Sequence, residues 1–200
     1  MTTFTFGIDP GHGGQSTGMF MPDFGYEKIY TMQLTDQLTR ALKWLPLQIE
    51  MSREFDEYVN FAERSRRLLT SDLILSIHVN ANRNEDFHGL ECYYCPGDGV
   101  AKSIARTIVE SAPKALQRAR LIEADTADGA WLERPQRVLA GHHPRPAVLL
   151  ECGYGTNVSD REFLTSEWGK KELIASILQG VTRFGSLVES GVVKILGSNL

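Results

Sequence analysis

The segment DLILSIHV, residues 72–79, is aliphatic at five of its eight positions. Polar and apolar residues do not alternate in this run. The absence of alternation is typical of a β-strand whose two faces are both buried. The segment PAVLLEC, residues 146–152, has the same character. Two such strands predict a largely parallel sheet that lies between two layers of helices.

Segments with strand and helix periodicity alternate along the rest of the chain. The predicted strands are residues 2–9, 47–52, 72–79, 89–95 and 146–152, and the predicted helices are residues 27–44, 58–70, 100–112 and 168–188. This alternation predicts an α/β protein, a single three-layer domain with a mostly parallel twisted sheet and helices on both faces. We expect the domain to occupy residues 1–189 and a C-terminal tail to occupy residues 190–200.

Composition narrows the classes of function. A net charge of -4 over 200 residues provides no broad attraction to nucleic acid or to an anionic membrane. No apolar run is long enough to span a bilayer, so we expect neither a nucleic-acid partner nor stable membrane insertion. Three cysteines are too few for a disulfide framework, and no secretory leader is visible at the N-terminus. We therefore expect synthesis in the cytosol, folding in a reducing compartment and a monomer.

Ionisable side chains lie where several of these segments end. His12 follows the first strand in IDPGHGG, residues 8–14, while His78 and Glu151 lie near the ends of the two buried strands. The carboxyl ends of parallel strands meet at one edge of a sheet. Glu27 opens the first helix after a loop that leaves the same edge. Two imidazoles and two carboxylates are therefore expected to converge there.

This group has the composition of a catalytic zinc site. Zinc hydrolases use three protein ligands, such as two histidines and one glutamate, and leave a position for water, while a further carboxylate acts as base. Spacing alone does not decide which of Glu27 and Glu151 is the ligand. Glycines on both sides of His12 permit a sharp turn, and Asp9 or Asn80 is a candidate for orienting an imidazole.

Five segments carry a family resemblance in their order along the chain. They are IDPGHGG at 8–14, GYEK at 25–28, SREFD at 52–56, ERSRRLLTSDLILSIHVNAN at 63–82 and AVLLECGYGTN at 147–157. Together they resemble the catalytic domain of the zinc-dependent N-acetylmuramoyl-L-alanine amidases of the Amidase_3 family. The resemblance covers most of the chain, and the ordered set is highly specific.

The resemblance implies an assignment for each candidate residue. His12, Glu27 and His78 would bind one zinc ion per chain, and Glu151 would be the catalytic carboxylate. The implied substrate is peptidoglycan, cut at the amide between N-acetylmuramic acid and the L-alanine of the stem peptide. A bare catalytic domain without a leader also resembles a phage endolysin, which reaches the cell wall from the cytosol once the membrane is breached. A bacterial enzyme shortened to its catalytic domain is the alternative.

The chain departs from the family pattern in three places. Tyr154 stands where phenylalanine is usual, and Thr156 stands where serine is common. Residues 121–146 match the usual pattern poorly. The sequence therefore makes no prediction about substrate contacts on that side of the cleft.

Other functions stay open on the residues alone. A zinc peptidase or deacylase with another acyl-amino substrate would share the site, and a non-catalytic wall-binding module would share the fold. Cys92 and Cys95 form a C-x-x-C motif, which is typical of a redox pair or of half a structural zinc site. In an extended strand, however, residues three apart point to opposite faces.

Several further side chains are interpreted as structural. We expect an exposed helix face at Arg64, Arg66 and Arg67, solvated loop positions at His142 and His143, and core positions at Trp131 and Trp168. The alternatives are a proton donor or substrate contact for the histidines and a sugar-binding groove for the tryptophans.

Overall fold

The computed structural model describes residues 3–117 and 130–196. The strands are β1 (Phe4–Pro10), β2 (Phe20–Met21), β3 (Gly25–Tyr26), β4 (Leu47–Met51), β5 (Leu73–Asn80), β6 (Glu91–Tyr94), β7 (Trp131–Glu133) and β8 (Ala147–Tyr154). The helices are α1 (Glu27–Leu42), α2 (Phe61–Arg67), α3 (Gly99–Glu110), α4 (Arg137–Ala140), α5 (Val158–Thr165) and α6 (Glu167–Glu189). The predicted alternation of strands and helices is confirmed.

The strands form a six-stranded sheet in the order β4-β1-β5-β8-β6-β7. Strands β4, β1, β5 and β8 run parallel, whereas β6 pairs antiparallel with β8 and parallel with β7. The loop between β5 and β6, residues 81–90, contains no helix to carry the chain back across the sheet. Strand β6 therefore starts at the edge where β5 ends and runs the opposite way, so the sheet is mixed but mostly parallel.

The two faces of the sheet are covered unequally. One face packs Phe6, Leu75 and Leu150 into the larger apolar cluster, which α1, α3 and α6 cover. The other face packs Ile74 and Leu149 into a smaller cluster with side chains from the ends of α2 and α4. Helices on both faces and three layers are thus confirmed. Because side chains alternate along a strand, His78 and Glu151 belong to the thinly covered second face.

The sequence analysis did not predict the shortest strands and helices. The β2–β3 hairpin, β7, α4 and α5 are too brief for a periodic pattern to show. Strand β7 and helix α4 belong to the stretch of residues 121–146, of which residues 121–129 lie outside the described residues. In the predicted tail, Val193 and Ile195 pack against the larger cluster, and residues 197–200 lie outside the described part.

The predicted exposure of Arg64 is wrong. Its side chain is buried and forms an ion pair with Asp9 at 2.6 Å, and its Nη1 also donates to the Pro10 carbonyl. Asp9 is fully buried, and a buried carboxylate needs a compensating cation. Burial raises the pKa of Asp9, but Arg64 and the hydroxyl groups of Ser52 and Ser76 together lower it below its usual value. The predicted role of Asp9 in orienting an imidazole is therefore wrong as well. Arg66 is exposed as predicted.

Two other expectations about exposure are wrong. His142 is fully buried, and neither ring nitrogen has a hydrogen-bond partner among the described residues, whereas His143 is exposed as predicted. Trp168 is 61% exposed and packs only its edge against Phe163, because it lies on the outer side of the first turn of α6. Trp131 is half-buried against the larger cluster.

Replacing Arg64 with methionine should destabilise the fold strongly. The Asp9 carboxylate would stay buried without its cation, which costs about 3–5 kcal/mol of unfolding free energy. Urea unfolding measures the loss. The matched control is Arg66→Met on the same helix, which removes only an exposed pair with Glu63 and should change stability little. Equal losses in the two variants would contradict the buried pair.

His142 should make stability depend on pH. Burial lowers the pKa of this imidazole in the folded protein. Below the unfolded-state pKa of about 6.5, the unfolded chain therefore binds a proton at His142 more readily than the folded chain does. The contribution of neutral His142 to the free energy of unfolding is fully present above that pH and is lost as the pH falls, by at most about 1.4 kcal/mol per pH unit. Urea unfolding from pH 8 to pH 5 should show a shallower decline for His142→Gln, but an unchanged one for the exposed control His143→Gln. An unaltered decline for His142→Gln would show that His142 does not contribute to the pH dependence of stability.

Candidate active site

Three of the four predicted site residues meet beyond the ends of β1 and β5. Glu27 Oε2 lies 3.1 Å from Nε2 of His12, and Glu27 Oε1 lies 3.1 Å from Nδ1 of His78. The three side chains each present one ligand atom, and these atoms lie within 4.8 Å of one another. The convergence expected from the strand ends is therefore observed for His12, Glu27 and His78.

The backbone around His12 is held in an unusual conformation. His12 has a φ of 61°, a left-handed conformation that costs a non-glycine residue about 1–3 kcal/mol unless its surroundings impose it. Two buried arginines provide those surroundings. Arg53 donates to the carbonyl groups of Pro10 at 3.0 Å and Gly11 at 2.9 Å, and Arg64 donates to the carbonyl group of His12. The other ring nitrogen of His12 lies 3.1 Å from the Ser16 hydroxyl group, which fixes the ring.

These supporting arginines were missed by sequence reasoning. Arg53 lies in the SREFD segment and Arg64 in the long segment that begins ERSRR, so both are within the stretches that carry the family resemblance. Their charge predicts exposure, because isolated arginines are rarely buried. The signal that could have pointed to them is the backbone carbonyl groups of residues 10–12, which need donors where the chain turns out of β1.

Glu27 is held as a buried carboxylate at the start of α1. The backbone N–H of Val79 donates to Oε1 at 2.9 Å, and that of Met19 donates to Oε2 at 3.1 Å. Burial raises the pKa of Glu27, but hydrogen bonds from His12 and His78 outweigh this and hold the pKa well below its usual value. The side chain is therefore an anion that faces two imidazoles.

The imidazole of His78 packs directly on Gly11. A Cβ atom at Gly11 would lie 2.5 Å from Cε1 of His78, so no other residue fits without moving the ring. Burial lowers the pKa of His78, but the hydrogen bond with Glu27 and the charges of Glu151, Glu27 and Asp9 together outweigh it, so the net shift of the pKa is upward. Gly11 therefore sets the position of the second imidazole, as Ser16 does for the first.

Glu151 lies beside this cluster without joining it. It is the register partner of His78 across the β5–β8 pair and of Glu91 across the β6–β8 pair. Its Oε2 atom is enclosed and has no hydrogen-bond partner among the described residues. Burial raises the pKa of Glu151 to about 7; His78 opposes the rise, and the charges of Glu27 and Glu91 add to it. The site thus contains one firmly ionised carboxylate and one that titrates near neutral pH.

Asn80 does not orient an imidazole, and that expectation is wrong. Its side chain amide donates to Glu91 at 3.0 Å, and the Tyr93 hydroxyl group donates to the same carboxylate at 2.7 Å. The register of the β5–β8 pair also shifts between His78 and Asn80, so Asn80 does not continue the regular alternation of the strand.

The three clustered side chains form a donor set that fits a metal ion. Zinc binds imidazole nitrogens and carboxylate oxygens at about 2.0–2.2 Å, so ligand atoms around one ion lie roughly 3 Å apart. The two 3.1 Å separations, which involve different oxygens of Glu27, are close to that spacing, and the single ligand atoms of the three residues lie within 4.8 Å of one another. Two imidazoles and one carboxylate are therefore placed where they could hold a divalent cation.

The cysteines do not form a second reactive centre. Cys92 faces the larger apolar cluster and Cys95 the smaller one, as the three-residue spacing predicts. All three cysteines are free, and burial raises the pKa of the Cys92 thiol, which is the reverse of a reactive thiolate. The redox interpretation of the C-x-x-C motif therefore has no support.

Comparisons with known proteins identify relatives for this arrangement. Residues 7–183 match the Amidase_3 family, described as N-acetylmuramoyl-L-alanine amidase. The chain is 30% identical to N-acetylmuramoyl-L-alanine amidase from Clostridium difficile 630, with a TM-score of 0.79 over 94% of this chain and 98% of that one. The catalytic domain of CwlV from Bacillus (Paenibacillus) polymyxa, 23% identical with a TM-score of 0.79 over 92% and 98% of the two chains, shares the fold.

A probable cell wall amidase, LytH of Staphylococcus epidermidis, is 27% identical over 91% of this chain. The chain spans 58% of the length of that relative. None of the helices in the described ranges is both long enough and apolar enough to cross a membrane.

Replacing Gly11 with alanine should weaken metal binding by displacing His78. The added methyl group would meet the imidazole ring at 2.5 Å, and we expect the Kd for zinc to rise about 10- to 100-fold. Competition with a chromophoric chelator measures this constant directly. The matched control is Gly99→Ala, where the methyl group would enter open space and the Kd should not change. An unchanged Kd in Gly11→Ala would show that the ring tolerates the shift.

Proposed function

The chain belongs to the N-acetylmuramoyl-L-alanine amidase family, and from this premise we propose that it hydrolyses the amide bond between N-acetylmuramic acid and L-alanine in peptidoglycan. The main support for this proposal is the arrangement of four side chains. His12, Glu27 and His78 face one another at the sheet edge, with Glu151 beside His78 on the next strand. This combines a metal donor set with a separate carboxylate, which metal-assisted amide hydrolysis requires.

We assign the three clustered residues to one zinc ion per chain. Each presents a single ligand atom, and their mutual spacing fits the ion. Bound zinc supplies two things, a lower pKa for a coordinated water and polarisation of the substrate carbonyl. The protein's part is to fix the donors: the low pKa of Glu27 keeps it anionic, while Ser16 and Gly11 hold the two rings.

Glu151 is assigned as the general base. Its carboxylate takes a proton from the water as the C–O bond to the carbonyl carbon forms, and then delivers that proton to the alanine nitrogen, which leaves as the amine when the C–N bond breaks. A pKa of about 7 suits a group that must both accept and release a proton at neutral pH. The different environments of Glu27 and Glu151 support this division of roles, which residue spacing had left open.

The boundaries and setting of this activity are also part of the proposal. We propose residues 1–189 as the catalytic domain, which agrees with the end of α6 at Glu189. The site of action is the cell wall, and the protein works as a monomer. Release from the cytosol by a phage lysis route stays a prediction, as does the assignment of residues 190–200 to a tail.

The first test distinguishes the bond that is cut. Zinc-loaded protein incubated with purified peptidoglycan should release new N-terminal alanine without new reducing ends, and a chelator should abolish the release. Reducing ends would indicate cleavage of the glycan. Release from other acyl-amino compounds, but not from peptidoglycan, would favour a zinc peptidase or deacylase.

Replacing Glu151 with glutamine should remove the base and leave the metal site intact. We expect kcat to fall about 10²- to 10⁴-fold, because proton transfer by a positioned group contributes that much, while zinc content stays at one per chain. The matched control is Glu133→Gln, an exposed glutamate on β7, which should keep full activity. Full wall-directed function in Glu151→Gln would instead identify a non-catalytic binding module.

A further inference from the structure

A groove of about 490 Å³ opens beside the two imidazoles. Its lining includes His12 and His78, Tyr58 and Phe61 around the start of α2, and Arg137 of α4. Its volume lies in the range of small-ligand sites, roughly 300–1,000 Å³. The groove is therefore large enough to hold the part of a substrate that extends from the scissile bond to one side.

The charge of the groove is unbalanced. Of the described residues that line it, Asp9 alone carries a carboxylate, and that group is fully buried in its ion pair with Arg64. Arg137 is exposed, and it makes neither an ion pair nor a hydrogen bond with any residue in the described ranges 3–117 and 130–196. The wall of the groove therefore presents one cation, Arg137, whose charge the neighbouring side chains leave unmatched.

Phe61 holds this cation in place. The guanidinium carbon of Arg137 lies 5.3 Å from the centre of the Phe61 ring, which is 48% exposed. Stacking on an aromatic face restricts the guanidinium plane but leaves its edge N–H groups free. Those N–H groups form a fork that matches a carboxylate and binds it through two parallel hydrogen bonds.

We propose that this groove binds the acidic peptide half of the substrate and that Arg137 determines specificity by pairing with a peptide carboxylate. The inference rests on the proposed function. The two halves that flank the scissile amide differ in charge: the muramic acid side presents neutral hydroxyl and acetamide groups, whereas the peptide side carries free carboxylates. A groove with an unpaired cation in its wall fits the peptide side. Helix α4 lies within residues 121–146, where the chain departs from the family pattern.

The test compares two small substrates. One is N-acetylmuramoyl-L-alanyl-D-glutamate, and the other is its diamide, in which both glutamyl carboxylates are carboxamides. The zinc-loaded protein should show a kcat/KM about 10- to 100-fold higher for the acid than for the diamide. In Arg137→Gln this preference should fall to about one through a higher KM for the acid, with kcat and the diamide values unchanged.

Two further variants separate a specific role from a structural one. Arg137→Lys keeps the charge without the planar fork, so part of the preference should return. Arg134→Gln removes another exposed arginine from the same stretch, one that does not line the groove, and should keep the full preference. Persistence of the preference in Arg137→Gln, or its absence from the unmodified protein, would overturn the proposal.

A binding measurement keeps this inference separate from the proposed reaction. Calorimetric titration of zinc-loaded Glu151→Gln should show the acid binding about tenfold or more tighter than the diamide, and adding Arg137→Gln should remove the difference. If the unmodified protein cleaves neither compound, the proposed reaction is wrong. The titration would still show whether the groove binds the peptide carboxylates through Arg137. Cleavage of both compounds at equal rates would leave the reaction standing and reject the subsite.

Discussion

The buried ion pair between Asp9 and Arg64 is the interaction on which the site depends. Asp9 is the last residue but one of β1 and lines the same groove as His12 and His78, and its charge is matched by Arg64 and by two serine hydroxyl groups. The same guanidinium group, together with that of Arg53, holds the carbonyl groups of residues 10–12. The Arg64 guanidinium group thus both balances the charge of Asp9 and supports the strained backbone of His12, so the position of the first imidazole depends on this ion pair.

The unequal covering of the sheet explains where the chemistry lies. The face under α1, α3 and α6 is packed with aliphatic and aromatic side chains, which form the larger apolar cluster. The opposite face is covered only in part by the short helices α2 and α4. Polar side chains at the carboxyl ends of β1, β5 and β8 can therefore meet solvent there, while the first face supplies the stability that a rigid site requires.

Glu27 and Glu151 have the same side chain, but their surroundings shift their pKa values in opposite directions. Glu27 lies between two imidazoles and receives two backbone N–H groups, so its negative charge is stabilised. Glu151 lies in line with Glu91, has an enclosed oxygen without a partner, and titrates near neutral pH. One carboxylate is thus suited to hold a cation and the other to carry a proton, and the groove that Arg137 lines is also lined by both histidines.

The sequence by itself determined the α/β layers, the main strands and helices, and the edge where His12, Glu27, His78 and Glu151 would lie, because periodicity and strand direction are local properties that repeat along the chain. Only the tertiary structure decided which glutamate faces the imidazoles, that β6 runs antiparallel, and that Arg64 and His142 are buried. Those outcomes depend on contacts between segments far apart in the chain. A charged side chain can be buried only where the fold places an opposite charge beside it, as it places Arg64 beside Asp9. These two residues are far apart in the chain, so the local sequence pattern around either one does not predict the pair.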